Sequence, residues 1–232
     1  MKWTNTLSTQ LFGFDNISNL DEKRAVARKV AAMAKDGDVI GAGSGSTSFV
    51  TLQEIGRRVS EEGLSVKIIP TSREMEMTAS VLGIEATSLM EDKPDWCYDG
   101  ADEVDQDGNL IKGRGGAMYR EKLVMASSKK SFILVDSSKF VDKLGSKFAV
   151  PVEVNQHALH YVETQLGNMD ISKCELRPAG GKDGPVITEM GNFILDVTFN
   201  TINAETEMEI KSVTGVFESG LFWGFKPEII TV

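Results

Sequence analysis

Three neighbouring blocks hold the side chains best suited to chemistry: Asp99-Gly100-Ala101-Asp102-Glu103, Lys112-Gly113-Arg114-Gly115-Gly116-Ala117 and Arg120-Glu121-Lys122. Carboxylates, a lysine and exposed amides close together are the parts for moving a proton beside a stabilised oxyanion. Asp99 follows an apolar run, so it is expected to emerge at the carboxyl end of a strand, where open α/β sheets place ligands. Gly113 to Gly116 lead into a predicted helix and offer backbone N–H groups beside Lys112. Glu121 falls on the early turns of that helix, near its positive end.

A second block, Gly41-Ala42-Gly43-Ser44-Gly45-Ser46-Thr47-Ser48, lies between a predicted strand and helix. Its glycines let N–H groups converge, the hydroxyls of Ser44, Ser46 and Thr47 add donors, and the helix start favours an anion, most naturally a phosphate. Gly and Ser are also ordinary turn and cap residues. A dinucleotide fingerprint would need glycine where Ser46 stands, and a nucleotide P-loop would need a lysine that the turn lacks.

A calcium loop counted from Glu103 finds Asp105, Asp107 and Gly108 in register, but its twelfth position is Arg114 instead of a glutamate. The blander alternative for Glu103 to Asn109 is a solvated acidic turn, the expectation for Asp105 and Asp107 specifically. The two histidines, His157 and His160, have no carboxylate cluster beside them, so no metal site is expected. Cys97 in its apolar run is expected to be a buried thiol.

The elements that must position these residues follow from periodicity. Helices are predicted at Asp21–Lys35, Phe49–Glu62, Ser72–Leu82 and Ala117–Ser128, and strands at Val39–Ala42, Val66–Pro70, Trp96–Tyr98 and Phe132–Val135. This alternation implies a Rossmann-like α/β parallel sheet with helices on both faces. From Pro151 the pattern changes. Strands are predicted at Pro151–Val154, Cys174–Arg177, Val186–Thr188, Phe193–Thr198 and Val216–Phe222, with helices at Gln156–Leu166 and Ala204–Val213. This is the order of a smaller α+β domain of the split βαβ, ferredoxin-like kind. The tail Glu228–Val232 reads as a strand returning to the first sheet. The expected domains are therefore 1–148 with 223–232, and 149–222.

With 232 residues, 41% hydrophobic and 25% charged, the composition is that of a soluble globular chain. A net charge of −9 argues against a general nucleic-acid surface, which needs clustered Lys and Arg, but allows a locally positive pocket for a small phosphorylated ligand. No run approaches the roughly 20 apolar residues of a membrane span. Met1–Leu20 lacks a signal-peptide layout, and two distant cysteines suit reduced thiols in the cytoplasm.

Taken together, GxGSGST, DGADE, and KGxGGA followed by REK resemble the type A ribose-5-phosphate isomerases. Asp136-Ser137-Ser138-Lys139, Pro151–Val154, Gly191–Asp196, and Gly215-Val216 through Gly220-Leu221-Phe222 fit as well, so the similarity runs from about Asp21 to Phe222. The resemblance implies interconversion of ribose 5-phosphate and ribulose 5-phosphate in the pentose phosphate pathway, without metal or organic cofactor, in a homodimer or homotetramer. It implies a proton-shuttling role for Glu121, sugar-hydroxyl contacts and ring opening for Asp99 and Asp102, and a catalytic lysine at Lys112. Substrate-contacting positions would be Ser44, Gly45, Ser46, Thr47, Asp99, Gly100, Ala101, Asp102, Lys112, Gly113, Arg114, Gly115 and Lys139, with Lys23 as a phosphate lysine. Arg114 departs from a run that is often all glycine in the family.

Three rival functions are compatible with parts of the pattern. A sugar-phosphate sensing module could keep the serine turn without Glu121, though it would usually accompany a DNA-binding segment. An amino-sugar-phosphate deaminase would want a histidine near the motifs, and a coenzyme A transferase a nucleophilic glutamate. Ketose formation from ribose 5-phosphate in chelator separates all three from an isomerase.

Overall fold

Apolar residues recurring with helical and strand periods build thirteen strands and six α-helices in the computed structural model, which describes residues 17–231. The reading of Met1–Leu20 therefore falls mostly on residues 1–16, outside the described ones, as does Val232 of the tail. In chain order the elements are α1 (Leu20–Ala31), β1 (Val39–Ala42), α2 (Ser46–Glu62), β2 (Lys67–Pro70), α3 (Arg73–Val81), β3 (Glu85–Ala86), β4 (Trp96–Asp99), β5 (Glu103–Val104) and β6 (Leu110–Ile111). They continue with α4 (Met118–Ser127), β7 (Ser131–Leu134), β8 (Val150–Val154), α5 (Leu159–Leu166), β9 (Ile171–Leu176), β10 (Phe193–Phe199), α6 (Thr206–Ser212), β11 (Val216–Ser219), β12 (Leu221–Phe222) and β13 (Glu228–Ile230).

The chain divides into two compact units, residues 1–100, 123–137 and 227–232, and residues 101–122 and 138–226. The first is built on a six-stranded parallel sheet in the order β13-β7-β4-β1-β2-β3. Along β1, Ile40 and Ala42 pack into one core with Val26, Val30, Phe49, Leu52, Ile55, Met75 and Ala79 from α1, α2 and α3. Gly41 points the other way, where a methyl group would strike Val124 of α4 and Cys97 of β4. Helices thus cover both faces, as the alternating pattern requires. The tail strand β13 pairs with β7 in register Ile229↔Ile133.

The second unit carries an antiparallel sheet in the order β11-β8-β10-β9. Numbered from β8 this is the 4-1-3-2 arrangement of a split βαβ sandwich. Val150, Val152 and Val154 of β8 pack with Val162, Leu166, Leu195, Val197 and Ile210 in its core. A small sheet, β12-β6-β5, belongs to the same unit.

Several expectations are revised. Val186–Thr188 is not a strand: Thr188 is drawn instead into a turn, its hydroxyl accepting from the Met190 and Asn192 amides. The expected strand Val216–Phe222 breaks at Gly220, and its second half pairs with β6. Glu103 is no solvated residue but fully buried, its carboxylate accepting N–H bonds from Gly145, Lys147 and Phe148 at 2.5–2.7 Å. Charge-assisted bonds of about 1.5–3 kcal/mol each offset the several kcal/mol cost of burying the charge. Asp105 and Asp107 do form the expected turn, Asp105 accepting from the Asp107 and Asn109 amides. The unit boundaries also differ from the domains expected at 148/149 and 222/223. Residues 101–122 and 138–148 pack with the second unit because Ile111, Val141 and Leu144 enter its core.

Candidate active site

The first unit sets two motif segments at the carboxyl ends of adjacent strands, β1 and β4. Connections leave in opposite directions there, the place where open α/β sheets hold ligands. Gly45, at φ 92°, turns the chain so that α2 begins at Ser46, three residues earlier than the apolar pattern suggests. Ser46 and Thr47 therefore stand in the helix's first turn. No side chain caps this helix and no acidic residue lies in its first turn, which leaves the helix start suited to an anion. Lys23 Nζ lies 3.0 Å from Ser46 Oγ, adding a positive charge to the same spot. Ser44 Oγ is 2.8 Å from Thr71 Oγ1. Asp99 is buried at the end of β4, accepting from the Gly100 amide at 2.7 Å and from Ser48 Oγ at 3.4 Å. Gly43 makes that place: any Cβ there would overlap the Asp99 carboxyl. The residue patterns placed Gly43 and Ser48 in the serine turn but did not pair them with Asp99, because that contact joins the turn after β1 and the start of α2 to the end of a strand far along the chain.

The second unit assembles Asp102, Lys112, Arg114 and Glu121. The Asp102 amide donates to the Ile111 carbonyl at 2.8 Å, pairing the hairpin of β5 and β6, and Lys112 follows directly. Lys112 is fixed from its other side by Gly220, the break between β11 and β12: its amide donates to Gly220 O at 2.9 Å, and Gly220 packs so closely on Lys112 that no Cβ would fit. Lys112 Nζ reaches to 3.2 Å from Glu121 Oε2, with both side chains about 95% buried (4% and 6% exposed). Opposite charges this close in a dry setting interact far more strongly than at the surface.

The glycine loop between them owes its shape to Gly113 (φ 108°) and Gly116 (φ 76°). Neither Arg114 nor Gly115 has positive φ, so the arginine that departs from the family pattern strains no backbone. Arg114 N–H donates to Asp102 Oδ2 at 3.3 Å while its side chain is exposed. Lys139 ends a 3-10 turn with its ammonium 5.3 Å from the Phe148 ring centroid.

Beside the loop, Lys122 is buried in an ionic cluster that the sequence pattern did not announce. Its ammonium bonds Glu207 (2.5 Å), Glu218 (2.8 Å) and the Ser219 carbonyl (2.7 Å) and lies 4.8 Å from the Phe222 ring centroid. Burial pushes the Glu218 carboxyl up, but Lys122, the Ser219 amide and Lys211 together hold it below the ordinary range. His157 and His160 are exposed. Burial drives the Cys174 thiol up to about 11, which makes it a poor nucleophile at neutral pH. Among the described residues no group of three or more His, Cys, Asp or Glu side chains is placed to hold a metal, and no helix is long and apolar enough to cross a membrane.

By class, this is a Rossmann-like α/β fold with a ferredoxin-like companion and a buried lysine–glutamate pair, the outline of an enzyme. Residues 67–232 match the family described as ribose 5-phosphate isomerase A (phosphoriboisomerase A). The chain is 44% identical over 210 residues to the ribose-5-phosphate isomerase A of Methanothermobacter thermautotrophicus, covering 90% of this chain and 92% of that protein. The solved ribose 5-phosphate isomerase A of Methanocaldococcus jannaschii superposes with a TM-score of 0.86 at 43% identity, covering 88% of this chain and 92% of that one. A D-ribose-5-phosphate isomerase solved in complex with phospho-erythronic acid gives 0.85 at 37% identity, with 89% and 91% coverage. The chain belongs to the ribose 5-phosphate isomerase A family and is an aldose–ketose isomerase.

Proposed function

We propose that this enzyme interconverts D-ribose 5-phosphate and D-ribulose 5-phosphate through a cis-enediolate, with Glu121 as the base. The observation that carries this reading is the buried Lys112–Glu121 pair at 3.2 Å beside the glycine-loop amides. Moving a proton between C2 and C1 on one face of the sugar needs a single carboxylate, which takes the proton from one carbon and returns it to the other. Negative charge gathers meanwhile on the oxygens of both carbons. Lys112 and the N–H groups of residues 113–115 are the donors suited to it, each worth about 10²–10³-fold, while the Gly116 N–H donates within the loop to Gly113 O at 3.1 Å.

The remaining roles follow from type and placement. Ser46 and Thr47 at the uncapped helix start, with Ser44, Gly45 and Lys23, suit a phosphate. Such remote binding holds the carbon chain for reaction. Asp99 and Asp102 serve sugar hydroxyls and ring opening, with Gly100, Ala101, Arg114 and Lys139 as further substrate contacts. Support also comes from the relative bound to phospho-erythronic acid, since the carboxylate of an aldonic acid phosphate is planar and anionic like an enediolate. The reading extends to the pentose phosphate pathway, a cytoplasmic setting and a homodimer or homotetramer, the last tested by sedimentation.

The decisive measurement follows ketose formation from ribose 5-phosphate in the presence of a chelator. Wild-type protein is expected to turn over fully under these conditions. E121Q, which keeps the shape and loses the base, is expected to fall by about 10²–10⁴-fold in kcat. Turnover of E121Q near the wild-type rate would refute the assignment.

A further inference from the structure

The glycine loop is gripped from outside the family motifs, by an arginine that leaves β9. Arg177 Nε donates to Asp196 Oδ2 at 2.8 Å, and Nη2 donates to Oδ1, so the carboxylate holds one side of the guanidinium in a two-point fork. The remaining terminal nitrogen, Nη1, donates to two consecutive loop carbonyls, Gly113 O and Arg114 O, each at 2.9 Å. We propose that Arg177 is a positioning residue for the isomerase reaction, holding the loop so that the amides of Arg114 and Gly115 face the reacting oxygens. This inference rests on the isomerase reading above.

In a trans peptide the C=O of one residue and the N–H of the next point in opposite directions. Turning the carbonyls of Gly113 and Arg114 toward Arg177 therefore turns the N–H groups of Arg114 and Gly115 away from it. Arg114 shows the result: its N–H meets Asp102 Oδ2 at 3.3 Å, on the side of a residue proposed to handle substrate. Gly115 is exposed, with open space where a Cβ would stand, so its amide has room for a ligand atom. A further clasp acts at the loop's end, where Gly116 O accepts from the Glu189 amide at 3.1 Å.

Glycines make this loop able to bend, and a bendable loop needs an outside restraint if its donors are to be preorganised. A cation on the carbonyls also polarises both peptides and strengthens their N–H groups as donors. Only a planar fork meets four acceptor atoms in this way. A lysine ammonium of similar charge lacks the geometry to hold both carboxylate oxygens and both carbonyls.

The test is steady-state isomerisation of ribose 5-phosphate by wild type, R177A and R177K, with the melting temperature of each. R177A is expected to lose about 10- to 100-fold in kcat, the scale of a misplacement of about 1 Å, while KM moves less than about threefold. Millimolar guanidinium should restore part of the R177A rate and leave wild type unchanged, a response that a loss of stability alone does not give. R177K, which keeps charge and bulk and carries the test if R177A does not fold, should show a clear kcat deficit without guanidinium rescue. An R177K kcat within about twofold of wild type, a loss lying wholly in KM, or an R177A rate indifferent to guanidinium overturns the inference. Wild-type protein inert toward ribose 5-phosphate overturns the isomerase reading and this inference together, whereas an active wild type beside an unimpaired R177K overturns the inference alone.

Discussion

At the scale of single residues, the site is shaped as much by side chains that are missing as by those that act. Gly43 has no chemistry of its own, yet it alone leaves room for the Asp99 carboxyl at the end of β4. G43A is expected to push that carboxyl aside and lower kcat/KM for ribose 5-phosphate by about 10- to 100-fold. Overpacking should destabilise the protein by about 1–3 kcal/mol. Paired kinetics and thermal melts check this, and a G43A enzyme with unchanged kcat/KM would separate Asp99 from the reaction. Gly220 does the same service for the Lys112 backbone. The patterns marked Gly43 and Gly220 as parts of motifs, but what each one clears space for is decided by a strand distant in sequence.

At the scale of elements, the ladder between β8 and β11 sets Glu153 opposite Glu218. The two carboxylates are treated differently. Glu218 is held by Lys122 and Lys211, whereas the donors to fully buried Glu153 among the described residues are neutral, Thr188 Oγ1 at 2.6 Å and Asn192 Nδ2 at 3.0 Å. Burial, reinforced by the Glu218 charge, raises the Glu153 carboxyl above its ordinary range despite those two bonds. A raised folded-state pKa means the native protein binds this proton more tightly than the unfolded chain, whose glutamates titrate near 4.3. Stability from this group is thus present below that value and is lost as pH climbs through the folded-state pKa. E153Q lacks the titration, so the melting temperature of wild type minus that of E153Q should fall as pH rises from about 4 through the folded-state pKa. A difference that stays flat or rises across that range would contradict the assignment.

At the scale of the whole molecule, the chain passes between its two units four times, at residues 100/101, 122/123, 137/138 and 226/227. A boundary drawn from the change of pattern at residue 149 cuts through the second core, because Ile111, Val141 and Leu144 lie upstream of it. A fragment of residues 149–222 also lacks β5, β6 and the Glu103-anchored loop 145–148 that leads into β8. It is expected to unfold without a cooperative transition in urea followed by circular dichroism, while residues 101–226 retain one. A sigmoidal transition for 149–222 would show that its core needs none of the upstream segments.

The sequence alone determined the α/β alternation, the split βαβ pattern of the second sheet apart from one surplus strand at Val186–Thr188, the serine turn after β1 and the family. Each rests on local periods and short motifs, where neighbours in sequence are neighbours in space. Tertiary structure alone decided what depends on distant partners. It buried Glu103 under the amides of residues 145–148, split Val216–Phe222 between two sheets at Gly220, and started α2 at Ser46 by way of the Gly45 turn. It also brought Arg177 to the carbonyls of Gly113 and Arg114 across more than sixty residues of chain. No periodicity records such a meeting, because a guanidinium looks the same in sequence whether it faces water or a loop that must be held still.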